Sequence, residues 1–225
     1  RTLLERSSRR FLEVPVSNQK TKRKQSLAES KRQLILDAAR EVFASEGLEG
    51  ASLRAIAAKA GYTPAALYFH FSSKEAIYAE LLRLSLTALQ TEVVGKLAGL
   101  DDPANRFRAA AMAFYHYYAQ NAQELDLGFY LFRGGMKPAG LSRETDTELN
   151  KALENALRPI ADAASDLGVP QRDADLLMVD VFAHAAGLLL LLHTGRIKMF
   201  NAAPEALMTV FAESKLREIG RRVST

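Results

Sequence analysis

Residues able to do chemistry are sparse in this chain. There is no cysteine among its 225 residues, which removes thiol nucleophiles, disulfides and cysteine-type zinc sites. The four histidines (His70, His116, His184 and His193) are scattered. His184 and His193 fall nine apart, on different faces of a straight helix. His184 therefore reads as a satisfied core histidine, and His193 as a group that can hydrogen-bond a ligand. No glycine-rich phosphate loop, His-Glu-x-x-His or Gly-x-Ser-x-Gly occurs. Asp173 and Asp175 read as the surface of a helix start. No enzyme activity, metal site or cofactor is expected. One stretch differs: Ser52, Arg54, Thr63, Tyr68, His70 and Lys74 crowd hydroxyls, an imidazole and two cations together. Lys74 lies in the first turn of a helix, where the macrodipole disfavours a cation. An anion held between that helix end and the ammonium would resolve the conflict.

Helices must position these groups, because apolar residues recur at spacings of three and four and Val/Ile-rich alternation is absent. Leu34, Ile35, Ala38, Ala39, Val42 and Phe43 form one stripe that ends at Gly47, a C-terminal cap. Ser52 can N-cap a short helix through Ala60, closed by Gly61. Pro64 opens another that ends near Phe71. Ser72 with Glu75 forms a capping box for a long helix with Ile77, Leu81, Leu84 and Leu89 inward. Asp102 and Pro103 start a helix to about Gln120, and further helices are predicted over 124–133, 142–167, 171–194 and 203–219. The fold class is all-α. Three short helices near the start, with Ala57 and Gly61 small where two of them cross, predict a helix-turn-helix filled by Ile56, Ala60 and Leu67. Its second helix would present Thr63, Pro64, Ala65, Ala66, Tyr68 and His70 to a DNA major groove.

On Phe43, Gly47, Ser52-Leu53, Ile56-Ala57, Ala60-Gly61, Thr63, Leu67-Tyr68, His70-Phe71 and Ser73-Lys74-Glu75, the chain resembles the tetracycline-repressor (TetR) family of bacterial transcriptional regulators. The resemblance covers roughly residues 33–80, and the run Leu-Tyr-Phe-His-Phe-Ser-Ser-Lys-Glu carries most of it. Ala51 stands where the family often has Thr, and Ala65 where it often has Gly, so altered operator preference is expected. Three parts are expected: a flexible basic arm (1–30), read from its composition, and, with the resemblance, a helix-turn-helix DNA-binding domain (31–80) and a C-terminal helical regulatory and dimerisation domain (81–225). Lys74 would then hold a DNA phosphate, or else point to water. Ser52 offers its hydroxyl or adjacent amides to phosphate, or is a plain N-cap. Tyr68 and His70 reach phosphate or base edges, unless Tyr68 only packs the small core. Arg54 can contact guanine bidentately or lie on a solvated face. Thr63, Pro64, Ala65 and Ala66 offer apolar and shape contacts.

Charge and aromatic residues are unevenly spread. Residues 1–32 hold ten Lys/Arg against three acids, a net +7, and the rest of the chain sums to −3, for +4 in all. Such a segment cannot offset its ordering entropy by burial. It reads as a solvated tail or as a nucleic-acid contact that gains affinity by counterion release. Residues 107–132 carry eight of the eighteen aromatics, and Phe107, Ala111, Phe114, Tyr115 and Tyr118 share one helical face. That face is either core or the wall of a pocket for a flat or greasy molecule. The candidate wall is Phe114, Tyr115, Tyr118, Phe129 and Phe132, with His193 as the next place to look. The resemblance further implies a homodimer through the last two helices. Ala185 to Leu192, the longest apolar run, falls short of a membrane span. The N-terminus has arginines where a secretory signal needs apolar residues. A cytoplasmic regulator, a repressor released from a palindromic operator by an inducer, is the expectation. Two rivals stay open: a helical ligand-binding or enzymatic protein with scaffold helices, and a DNA-binding regulator without an inducer.

Overall fold

The computed structural model describes residues 16–129 and 141–223, and these form helices without a strand among them. The order is α1 (Val16–Gly50), α2 (Leu53–Ala60), α3 (Pro64–Tyr68), α4 (Lys74–Leu97), α5 (Pro103–Gln120), α6 (Ala122–Phe129), α7 (Arg143–Asp166), α8 (Gln171–His193), a 3-10 turn (Arg196–Phe200) and α9 (Pro204–Val223). Within α1 the backbone leaves helical geometry at Gly47 (φ 72, ψ 174), a conformation only glycine takes without strain. The expected cap is therefore real, and residues 48–50 form a separate last turn. The α1 stripe differs by one residue. Leu36 is buried and Leu34 is 54% exposed, because the helix phase set by Ile35, Ala39 and Val42 turns position 34 outward.

Residues 16–30, expected to be flexible, continue α1 as helix with residues 21–30 exposed. Lys, Arg, Gln, Leu, Ala and Glu dominate this stretch and are good helix formers. Extending a helix already nucleated on the buried Ile35 needs no new nucleus. Residues 1–15 lie outside the described part. The long helix starts one residue later than the capping box implied. Ser73 is its N-cap, its hydroxyl accepting the Ala76 N–H at 3.1 Å, and Ser72 is exposed outside it.

Two bodies share α4. Its first turns pack on α1, and its remainder packs on α5 and α7. The expected division near residue 80 thus falls inside one continuous helix. Tyr78 sits at the junction, edge-on to Phe43 of α1 (centroids 5.9 Å apart) with its hydroxyl donating to the Leu127 carbonyl of α6. Beyond it α5 is the hub, touching α4, α7, α8 and α9. Phe107, Ala111, Phe114, Tyr115 and Tyr118 are all buried there, the single apolar face that the sequence showed.

Candidate nucleic-acid interface and ligand cavity

Local hydrogen bonds shape the helix-turn-helix. Ser52 Oγ accepts the Ala55 N–H (3.1 Å) at the start of α2, and Thr63 Oγ1 accepts the Ala66 N–H (3.2 Å) at the start of α3. Between them Gly61 takes a left-handed conformation (φ 73, ψ 27), and Tyr62 N–H returns to the Ala57 carbonyl at 2.8 Å. Ile56, Ala57 and Leu67 lose all solvent contact in the small core beneath. The turn leaves Pro64 and Ala65 exposed and Ala66 half-buried. Tyr68 is 59% exposed, so it does not pack the core.

The starts of α2 and α4 face each other across a shallow depression of about 410 Å³, lined by Ser52, Arg54, Tyr68, Ser73 and Lys74 among others. Two helix N-termini, each carrying partial positive charge, converge with two cationic side chains there. The Lys74 ammonium is committed in part, donating to the carbonyls of Glu49 (3.1 Å) and Ala51 (3.0 Å). It resolves its conflict with the α4 dipole by capping the end of α1, an answer the sequence reading did not contain. An ammonium has three protons, so one remains for an anion. Ser52 and Thr63 likewise spend a lone pair on capping and keep a hydroxyl proton to donate. His70 lies just past α3, half-buried, with its carbonyl 3.5 Å from Arg32 Nη1.

Two residues escaped the sequence reading. Phe69, 91% exposed, projects beside Tyr68; its only signal is that it falls off the apolar stripe of its neighbours. Arg32 ties three elements together: it lies over the Phe71 ring at 4.3 Å and pairs with Glu80 of α4 at 3.0 Å. The hydrogen bond from Arg83, and secondarily Arg32, hold the Glu80 carboxyl below its usual range against the opposing effect of burial. Pairing across 48 positions leaves no local signature.

A cavity of about 300 Å³ opens in the larger body, walled by Leu86 of α4, Phe114 and Tyr118 of α5, Leu125 of α6, Leu149 of α7 and Phe182 of α8. Phe114 sits 4.8 Å from the Tyr118 ring and edge-on to Phe182 at 5.2 Å. Burial pushes the Tyr118 phenol up to about 12, so it is a neutral hydrogen-bonding group at ordinary pH. Tyr115 is a correction. It points to α9 and not into the cavity, where burial, with the Glu205 charge adding to it, raises its phenol. Its one-residue offset from Phe114 is a 100° rotation on α5. His193, the next place to look, lines a separate depression of about 280 Å³ with Arg40 and Phe43 of α1 and Asp126 of α6. Its Nε2–H donates to the Tyr118 carbonyl at 2.8 Å. The Phe129 side chain and Phe132 lie outside the described residues. His184 is half-buried and stacked on Phe211 at 3.9 Å, but its Nε2 is enclosed without a partner, so it is not the satisfied histidine expected.

The α6 helix connects the two sites. Leu125 faces the cavity, while Glu124 Oε1 pairs with Arg40 Nε of α1 at 3.2 Å and the Leu127 carbonyl accepts from Tyr78. On the far side, Leu176, Val179 and Leu190 of α8 and Leu207 and Val210 of α9 are exposed. By length and composition α8 is apolar enough to cross a membrane (mean hydropathy 1.9), although its longest uninterrupted apolar run is short. Asp175 and Asp180 tie it into the bundle through Arg158 (2.5 Å) and Lys215 (2.7 Å).

Fold and site together define a helix-turn-helix unit fused through a shared helix to a cavity-bearing helical bundle. Residues 35–81 match the family described as "Bacterial regulatory proteins, tetR family". Over those residues, which hold the helix-turn-helix, the chain is similar to that family. It is 35% identical over 101 residues to the transcriptional activator FasR of Mycolicibacterium smegmatis, covering 45% of this chain and 46% of that protein. To the regulator AcrR of Shigella flexneri it is 37% identical over 84 residues, 36% of this chain and 38% of that one. The chain thus spans under half the length of these curated relatives. Among solved structures, FadR of Bacillus subtilis in complex with stearoyl-CoA superposes with a TM-score of 0.62 at 17% identity, over 80% of this chain and 95% of that one. PfmR of Thermus thermophilus gives 0.62 at 22% identity, over 80% and 91%. These two likenesses extend the shared fold over the C-terminal helices.

Proposed function

We propose that this chain is a ligand-responsive, DNA-binding transcriptional regulator, a homodimeric repressor that leaves a palindromic operator when a small apolar or aromatic molecule fills the α4–α8 cavity. The observation that carries it is the depression where Ser52, Arg54, Tyr68 and Lys74 meet two helix N-termini. Lys74, Ser52, Tyr68 and His70 serve as phosphate contacts, and Arg54 reads guanine. Thr63, Pro64, Ala65 and Ala66 face the groove with apolar and shape contacts. The basic residues of α1, with Lys22, Arg23 and Lys24 exposed and Lys31 half-buried, add a non-specific phosphate contact. The exposed apolar residues of α8 and α9 pair with their copies, setting two recognition helices about 34–36 Å apart. Such a protein works in the cytoplasm and needs no catalytic step.

Release follows from the shared elements. Leu82 and Leu86 lie on the cavity wall of the same helix whose first residue is Lys74, ~12 Å away along the axis for Leu82. A ligand that fits better when α4 or α6 is tilted shifts the population away from the DNA-competent spacing. Coupling of this kind amounts to about 1–3 kcal/mol. Selection of bound duplexes from a random library tests the reading. Enrichment of a palindrome with half-sites one turn apart, with strongly salt-dependent affinity, is the expected result. Absence of any enriched sequence would overturn it. A reporter behind the selected site separates repression from activation.

A further inference from the structure

The charge inventory of the cavity narrows its ligand, given that the cavity is the effector site just proposed. Among the described residues that line it there is no Lys, Arg or His, and Asp146 is the one carboxylate. Asp146 and Asn150 stand one turn apart on α7 at the cavity rim. The Asn150 Nδ2 donates to Asp146 Oδ2 at 3.2 Å. That bond spends one of the two Nδ2 protons, and the Asp146 carboxylate keeps acceptor capacity beside the Asn150 amide oxygen. The start of α7 would ordinarily favour an anion, but Ser142 Oγ already takes the Thr145 N–H at 3.1 Å, and Glu144 and Asp146 occupy the first turn.

An anionic head would therefore meet a like charge beside apolar walls that screen poorly, with no described cation to offset its desolvation. A cationic head finds a carboxylate, an amide oxygen and the rings of Phe114, Tyr118 and Phe182 in the same lining. We infer that the effector is a lipophilic amine: an apolar body held among these rings, with a protonated nitrogen donating to Asp146 and Asn150. The ligand chemistry thus differs from the anionic acyl-CoA of the Bacillus subtilis structure, although the fold is shared.

Three ten-carbon probes that differ only in head group test this by calorimetry on the full chain at neutral pH: decylamine, decanol and decanoate. Decylamine should bind about fivefold more tightly than decanol, the upper end for a partly exposed ion pair, and decanoate more weakly than either. The near-isosteric Asp146→Asn should bring the ratio of decylamine to decanol affinity down to about one. Decanoate binding more tightly than decanol overturns the inference, as does an amine preference that survives Asp146→Asn. If none of the three binds, the cavity is not a ligand site and both readings of it fall. Operator binding, measured separately, reports on the DNA-binding reading alone.

Discussion

The helix-turn-helix and the helical bundle behind it put their candidate sites in opposite places. In the first, a filled core of Ile56, Ala57 and Leu67 supports chemistry on the outside, where two capped helix starts meet Lys74 and Tyr68. In the second, the chemistry lies inside, where packing around Phe114 and Tyr118 is left incomplete. A surface site is built from backbone caps and charges, which are local. A cavity is built from the absence of atoms among five helices, which no single segment encodes. The two are joined without a linker, through α4 and the α6 contacts to Arg40 and Tyr78.

The contrast can be broken by matched truncations. Ile56→Ala removes atoms from a fully buried position and should cost about 2–5 kcal/mol, abolishing DNA binding through unfolding of the small unit. Leu82→Ala trims a wall that already lacks partners on one side, so it should cost less. Denaturant melts of both variants check this, and equal losses would remove the distinction between filled and unfilled cores.

Next in size is Lys74→Ala. The ammonium caps the α1 carbonyls and faces the depression, so binding should weaken on all sequences and the salt slope should fall by about one. Loss of stability with an unchanged slope would leave it only the capping role. Within the cavity, Tyr118→Ala should raise the concentration of ligand needed for release while ligand-free operator affinity stays nearly constant. A titration of the protein–operator complex measures both.

The smallest effect concerns the Arg32–Glu80 link between α1 and α4. A carboxylate held below its unfolded value contributes stability above that value and loses it as pH falls through the lowered folded value. Wild type should therefore exceed Glu80→Gln by less than about 1 kcal/mol at pH 7, with the gap closing in acid below the ordinary carboxylate range near 4.5. A gap that widens on acidification would contradict the assignment.

By itself the sequence determined the helical class, the positions of Ser52 and Asp102 as caps, the turn at Gly61 and the buried face of α5. Each of these rests on bonds spanning a few residues or on a repeat of 3.6, so a single segment contains the information. It also placed Ser52, Arg54, Tyr68 and Lys74 close together, as the shared depression has them, because their spacing is short and the turn between them is tight. Tertiary structure alone decided the rest. It turned Tyr115 toward α9 and left Phe114 at the cavity, gave His193 a depression with Arg40 and Phe43, and gave Lys74 the end of α1 as a partner. It also joined Arg32 to Glu80 and Arg40 to Glu124. Those outcomes depend on how whole helices are rotated and stacked. The balance of packing that fixes a rotation is summed over distant residues, and no local pattern of side chains records it.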